Sequence, residues 1–456
     1  MKIIRIPRFT NKEKHVFIDS TLFMVDEQAG LLLCSETGGM IMLDGELCRE
    51  ILSHNINNDF WFKLVQRKIA EPAQKRERDT HPPPDERVSF FLLDLTRQCN
   101  LRCVYCFRAH EPPAFMPPAT IERAIDKIAE CAKLQQTEFV SVQLWGGEPL
   151  LAMDSVKIVH RRLKSYGLNF RIEIESNGTV ITRKMAEELR EMGVCVGVSV
   201  DGDAATHNRQ RKTVDGYDTF NEVRAGVFNL QSVFPPKSIS SICVITRYNF
   251  RNVNRMLYSL VNDLGIQNVK FNLARDNPNA AEKTLSLEDD DLVEFANNLF
   301  ITVLDFWKRG VRVYEGTICD RIRNLLDNSR HNLCNSKGCF GGKCLVSITS
   351  DGSIYPCEMT DFDDEKIGTV FSDEPIHWQI KKSIESHPFF APKSDPLCDG
   401  CPWLSHCRGG CTSRQRFLGK TGIDRTECLL NKTIYPAIVR LLLSEPDVAD
   451  AMIGGQ

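Results

Sequence analysis

The sequence predicts an α/β fold made of parallel βαβ units, and three observations predict it. Six short apolar runs recur between residues 88 and 274, each bounded by polar or glycine-containing stretches. Helical spacing of apolar residues fills the gaps between them. A thiol-rich stretch, "CNLRCVYC" (99–106), leaves the first run at the end where parallel sheets hold their ligands.

The six runs are "VSFFLLDLT" (88–96), "FVSVQLWGG" (139–147), "FRIEIESNG" (170–178), "CVGVSVDG" (195–202), "SISSICVIT" (238–246) and "VKFNLA" (269–274). Each reads as a buried strand. "PPATIERAIDKIAECAKL" has Pro before its first turn and apolar residues at helical spacing. "TRKMAEELREMG" is a helix that ends at a glycine. "GYDTFNEVRAGVFNL" and "FRNVNRMLYSLVNDLG" are expected to follow the same rule. "GGEP", "SNGT" and "SVDG" leave the C-terminal ends of their strands, as the cysteine loop does.

The chain has 456 residues and 18 cysteines. It is too long for a disulfide-stapled miniprotein and long enough to bury the cores of two or three domains. No apolar run approaches a membrane span, and "MKIIRIPRFTNKEK" lacks the apolar stretch of a signal peptide. A cytoplasmic protein is expected, and clustered cysteines there bind metal or take part in catalysis. The net charge of −3 implies neither nucleic acid nor membrane as a partner.

Cys99, Cys103 and Cys106 are spaced CxxxCxxC. Two thiols can close a disulfide; three on one loop suit a metal with a coordination position left open. Zinc sites pair thiols as CxxC with a second pair or histidines beyond, and here only His110 is near. Thiolates also hold iron–sulfur clusters, with four per cubane as the norm. A structural zinc site is the alternative.

With these motifs in order, the stretch 88–275 resembles radical S-adenosylmethionine (SAM) enzymes. Their signature is CxxxCxΦC, met here by Cys99, Cys103, Cys106 and, as the aromatic Φ, Tyr105. The resemblance implies a partial (β/α)6 TIM-type barrel. It implies a [4Fe–4S] cluster on the three cysteines, whose fourth iron chelates the amino and carboxylate groups of SAM. One electron then cleaves the sulfonium to a 5′-deoxyadenosyl radical, which takes a hydrogen from the substrate. Gly146, Gly147, Glu148 and Pro149 match the segment that cradles the methionyl amino group. Asn177 and Gly178 match a third-strand cofactor contact, and Ser199 and Asp201 match the ribose contacts. Arg211, in "HNRQR", stands where related enzymes set Arg against the SAM carboxylate. Turn or capping roles are the alternatives. His207 receives no role and reads equally well as a surface histidine. No catalytic acid or base is identified; Asp276 and Glu315 are candidates only.

A second array lies in the last third. "CNSKGCFGGKCLVSITSDGSIYPC" supplies Cys334, Cys339, Cys344 and Cys357, and "LVSIT-SDG-SIYPC" reads as a hairpin. "CDGCPWLSHCRGGC" supplies Cys398, Cys401, Cys407 and Cys411, and "RTECLL" supplies Cys428. The array resembles the SPASM extension of radical SAM peptide modifiers, with Cys339, Gly352 and Cys357 satisfying its first part. The resemblance implies two auxiliary [4Fe–4S] clusters, three in all. Cys398, Cys401, Cys407 and Cys428 are expected to hold one. Cys339, Cys357 and Cys411 are expected to help hold the other, with Cys334 or Cys344 as fourth ligand. Zinc is the alternative here too. Cys34, Cys48, Cys131, Cys195, Cys243 and Cys319 are expected to be small core residues.

A Pro-rich charged linker, "AQKRERDTHPPPDER" (73–87), sets off an N-terminal unit of short strands and two helices ("GELCREILSH", "NDFWFKLVQRKIA"). Its layout resembles the small α+β winged-helix-like modules with which peptide-modifying enzymes bind a precursor's leader peptide by strand addition. A structural cap is the alternative. The expected domains are therefore 1–82, the barrel at 83–310 and the cysteine-rich SPASM domain at 311–456. The expected function is modification of a ribosomally made precursor peptide, with flavodoxin or ferredoxin as electron donor. The alternatives are an anaerobic sulfatase-maturating enzyme, and a non-enzymatic iron–sulfur electron carrier or redox sensor.

Overall fold

The computed structural model describes residues 1–10, 15–24, 28–71, 87–108, 112–276, 280–326, 332–334, 337–360, 363–391, 395–420 and 422–453. All but the last residue of the expected linker, and His110, lie outside the described residues. Among the described residues no helix is long and apolar enough to cross a membrane.

The six expected strands form in sequence order as Phe90–Thr96, Val140–Gly146, Phe170–Ser176, Cys195–Ser199, Ser240–Ile245 and Asn268–Leu273, all parallel. They make a partial barrel. Its ends are extended by strands from beyond the expected boundary at 310. Tyr314–Glu315 adds parallel to the sixth strand, and Leu345–Ile348 adds parallel to the first. The expected hairpin then continues the sheet antiparallel through Ser353–Tyr355 and Gly368–Thr369. The cysteine-rich third is thus joined to the barrel through one sheet.

The helices cover the apolar outer face. Pro118–Gln135 begins on a proline, which suits a first turn, and buries Ile121, Ile125 and Ile128. Arg183–Glu191 is capped by Thr182, whose Oγ1 accepts from Met185 N at 3.2 Å, and stops before Gly193. The helix Phe220–Gln231 departs from the glycine-stop rule: it ends at Ser232. Its glycine, Gly226, lies inside instead, where a Cβ would stand 2.1 Å from Gly178 O. A smaller residue is needed there so that helix and third-strand loop can touch. "FRNVNRMLYSLVNDLG" starts as a 3-10 turn and closes in the π-helical segment Ser259–Asp263 before Gly265.

Cys34, Cys48, Cys131, Cys243 and Cys319 are buried as expected; Cys195 is exposed, because it opens the fourth strand at the bottom of the barrel. The N-terminal unit holds a four-stranded antiparallel sheet in the order Lys2–Ile6, Ser20–Met24, Ala29–Cys34, Met40–Asp44, followed by helices Gly45–Ser53 and Asn58–Gln66. The basic stretch at the start supplies an edge strand. Phe23, Leu31 and Leu33 join the main core rather than the unit's own.

Candidate functional site

The cysteine loop sits on the C-terminal end of the first strand and is braced from two sides. Gly147 N donates to Thr96 O at 2.6 Å, and Glu148 N donates to Gln98 O at 2.9 Å. A Cβ on Gly147 would lie 2.3 Å from Gln98 O, and one on Gly146, whose φ is +143°, would lie 2.0 Å from Thr96 O. Only glycine lets these two loops approach so closely. On the other side Arg102 N donates to Lys212 O at 2.8 Å and Val104 N to Gln210 O at 2.9 Å.

Glu148 is fully buried and ties "GGEP" to "SNG". Its carboxylate accepts from Leu150 N at 3.0 Å, Ser176 Oγ at 2.8 Å and Asn177 N at 2.7 Å. Burial nevertheless pushes its carboxyl up to about 7. Pro149 is buried and opens a 3-10 turn. Asn177 Nδ2 reaches Asn100 Oδ1 at 2.9 Å and Cys99 Sγ at 3.8 Å, so the third-strand loop touches the thiol set directly. Ser199, partly exposed, ends the fourth strand.

Asp201, expected at the ribose, is fully buried and engaged by the protein itself. It accepts from Tyr105 Oη at 2.7 Å, Gln210 Nε2 at 3.0 Å and Val244 N at 2.8 Å, and pairs with Arg211 Nε at 3.0 Å. Arg211 also lies over the Tyr105 ring, 5.4 Å from its centroid. His207 is no surface residue: it is fully buried beneath Asp201. Its Nδ1 accepts from Asp201 N at 3.3 Å, and its Nε2 stands 3.1 Å from Thr219 Oγ1. Thr219 Oγ1 donates to Arg211 O at 2.7 Å, which leaves Nε2 of a neutral His207 as the donor to Thr219. Burial holds this imidazole down at about 4, in keeping with that tautomer. His207, Gln210 and Thr219 were not expected at the site; "HNRQR" contains two of them, but only the fold turns them inward.

The other two candidate acids are structural. Asp276 Oδ1 accepts from Leu285 N at 2.8 Å and Ser286 N at 2.9 Å. Glu315 is fully buried, accepts from Thr317 N and Ile318 N at 2.9 Å each, and sits near the start of the sixth strand, away from the mouth. Sequence reasoning missed Glu175. One of its carboxylate oxygens is buried without a hydrogen-bond partner among the described residues, and burial pushes its carboxyl up to about 8. A Cβ on Gly197 would lie 2.4 Å from that carboxylate, so the glycine makes room for it. The alternation in "FRIEIES" was its only sequence signal.

The thiols gather into three groups. Cys103 is pushed up to about 12 by burial, opposed by Arg211 and reinforced by Cys106 and Cys99. Burial also raises Cys99, with Cys106 adding to it. In the second group burial raises Cys334 to about 12, with contributions from Cys411 and Cys339; it raises Cys357, with a contribution from Cys334; and it raises Cys411, with a contribution from Cys339. Cys334 keeps an exposed surface, yet its sulfur lies among enough atoms to be desolvated. Cys344 is fully buried, and its carbonyl accepts from Ser89 N and Phe90 N, where it joins the hairpin to the first strand. In the third group Cys398, Cys401, Cys407 and Cys428 line one cavity with Trp403 and Ile423. Among the described residues no three such side chains close around a single ion. Ligands of a cubane, each on its own iron, stand further apart than that. Buried thiols that repel one another stay protonated until a cation compensates them, so the groups fit clusters.

Residues 93–257 match the family model described as the Radical SAM superfamily. A cysteine-type anaerobic sulfatase-maturating enzyme of Clostridium perfringens is 26% identical over 356 residues, covering 71% of this chain and 88% of that enzyme. Among solved structures, native anSMEcpe with bound AdoMet and Kp18Cys peptide aligns at TM-score 0.67 and 22% identity, covering 78% of this chain and 98% of that one. Streptococcus suis SuiB bound to precursor peptide SuiA aligns at TM-score 0.56 and 15% identity, covering 93% of this chain and 99% of that one. Residues 93–257 thus carry a radical SAM domain, and the chain is an enzyme using a [4Fe–4S] cluster and SAM that is similar to maturases; the electron-carrier alternative falls away.

Proposed function

We propose that this enzyme modifies a ribosomally made precursor peptide by hydrogen abstraction from one of its residues, giving a thioether, a C–C or C–O crosslink or another oxidised product. The observation that carries this reading is how the N-terminal domain is seated. The Phe23 ring stacks on Trp403 at 5.2 Å, Trp403 stacks on Tyr435 at 5.0 Å, and Ser405 N donates to Ser35 O at 3.1 Å. The domain thus rests on the third thiol group and leaves the strands Lys2–Ile6 and Met40–Asp44 as sheet edges. Ile3 and Met42 on those edges are exposed, as strand addition of a leader peptide requires. Likeness to SuiB over 93% of the chain takes in part of this domain.

Cys99, Cys103 and Cys106 would hold the SAM cluster, which together with SAM supplies a 5′-deoxyadenosyl radical. The chain's own work is orientation. Gly146 and Gly147 bring the "GGEP" backbone against the cysteine loop, Glu148 braces that loop to Asn177, and Asn177 steadies Cys99. His207 and Asp201 fix Tyr105 and Arg211, whose charge faces Cys103. Two auxiliary clusters would sit in the remaining groups, and the mutual influence of Cys334, Cys339, Cys357 and Cys411 supports Cys334 as fourth ligand. A flavodoxin or ferredoxin would supply the electron.

The experiment is to incubate anaerobically reconstituted enzyme, SAM and reductant with short peptides encoded beside its gene. The expected result is 5′-deoxyadenosine together with a peptide mass change that depends on the leader. The second reading is formylglycine formation, favoured by likeness to the Clostridium perfringens enzyme over 88% of its length. Conversion of a Cys- or Ser-containing sulfatase peptide with no leader dependence would overturn the first reading in favour of the second.

A further inference from the structure

The sixth strand, Asn268–Leu273, ends at the barrel mouth, and Arg275 follows it by two residues. The element beneath it is firm: Ala274 N still donates to Ile245 O at 2.8 Å, continuing the ladder. Arg275 Nη2 donates to Cys411 Sγ at 3.6 Å. Its Nη1 is buried and has no hydrogen-bond partner among the described residues. Burial opposes its charge, but Cys411 and Cys357, then Asp424 and Glu358, more than offset this and hold its pKa above the ordinary arginine value. Cys411 Sγ also accepts from Arg414 N at 3.4 Å. The segment after the sixth strand therefore presents a guanidinium to one thiol group, whose Cys357 Sγ lies 2.9 Å from Glu358 Oε2.

The other group of four has different surroundings. Glu427 is paired with Arg321, and Leu397, Trp403, Leu404 and Ile423 line the group's cavity together with Asn431 and Lys432. A cluster gains one negative charge on reduction. Hydrogen bonds to its sulfurs and nearby cations stabilise that reduced form and raise the potential, and nearby carboxylates lower it. A buried guanidinium donor without a partner is costly, and a cluster sulfur is an acceptor of the right charge.

We propose that Arg275 is a positioning residue that raises the potential of the auxiliary cluster nearest the barrel, at the Cys334, Cys339, Cys357 and Cys411 site. This rests on the twin-auxiliary-cluster reading above. Arg275 belongs to the barrel and Cys411 to the array, so one side chain couples the reaction chamber to the acceptor beside it.

The test is anaerobic potentiometry of the full-length reconstituted enzyme, followed by electron paramagnetic resonance and paired with iron analysis. In the Arg275→Gln variant one midpoint is expected to fall while the other two stay fixed, with Arg275→Lys in between. Selective loss of one cluster's iron in Arg275→Gln, retained in Arg275→Lys, would also support the assignment, since it shows that the cation holds that site. Three midpoints unmoved in both variants at full iron content would overturn it. A wild-type protein carrying one cluster only would instead remove the twin-cluster reading, and the proposal with it.

Discussion

The barrel's cysteine loop and the third thiol group are both built to surround something, yet their walls differ. Around Cys99, Cys103 and Cys106 stand Asn177, Arg211, Asp201 and Tyr105, a hydrogen-bonded polar wall. Around Cys398, Cys401, Cys407 and Cys428 stand Leu397, Trp403, Leu404 and Ile423, with Asn431 and Lys432 beside them, a largely apolar wall. Where three thiols stand, polar groups and close-packed glycine loops surround them; where four are present, the chain lines the cavity mostly with hydrocarbon. On the function proposed above, the difference separates a site that must admit a charged ligand from one that needs only to hold its metal.

The largest expected effect breaks the comparison at its open end. Replacing Cys99, Cys103 and Cys106 together with Ala should abolish SAM cleavage, and iron content should fall from roughly twelve to roughly eight per chain. Persisting 5′-deoxyadenosine from that variant would place the radical site elsewhere. Next, Gly147→Ala forces a methyl group toward Gln98 O, at a built distance of 2.3 Å. We expect SAM cleavage to drop by at least about tenfold, equivalent to roughly 1.4 kcal/mol, with cluster content retained; unchanged kinetics would show that the loop contact is dispensable.

The sealed wall is tested by Trp403→Ala. Trp403 is 4% exposed and lies between Phe23 and Tyr435, so the change should cost about 3–5 kcal/mol and speed iron loss to a chelator from that group alone. Equal chelation rates in wild type and variant would mean that the aromatic stack does not seal the cavity. The smallest effect concerns Glu175 inside the barrel. Its folded carboxyl titrates at about 8, above its ordinary 4.5, so folding favours the neutral form. Its stabilising contribution is complete at acid pH and fades as pH rises from about 4.5 through about 8. Melting temperatures of Glu175→Gln should therefore decline less steeply over that window than those of wild type; parallel curves would show that the carboxyl is not desolvated.

Much of this molecule was legible because its signals are local. Strand positions follow from short apolar runs, and the CxxxCxxC spacing puts Cys99, Cys103 and Cys106 on a single loop. "GGEP" proved informative because both glycines are sterically required. What the sequence left open shares a cause. His207 was read as equally suited to the surface, because burial depends on what lies above a helix rather than on its own neighbours in sequence. Asp201 was set at the ribose by resemblance; the structure adds that Tyr105, then Gln210 with Arg211, then Val244 converge on it from three separate segments. Tyr314–Glu315 and Leu345–Ile348, beyond position 310, extend the barrel sheet, and edge pairing leaves no mark on the strand being paired.

From the linear order of residues came the α/β class, the six strands and the clustered thiols, since periodicity and spacing are written along the chain; the grouping of the thiols and their chemistry came from the family resemblance those motifs carry. Only the tertiary structure decided that Cys344 is buried against the first strand while Cys334 keeps an exposed surface, that His207 props Asp201, and that Arg275 reaches Cys411 across 136 positions. Those outcomes depend on which loops meet at the mouth of one continuous sheet, and hydrogen bonds between distant segments acquire their partners only once that sheet is closed.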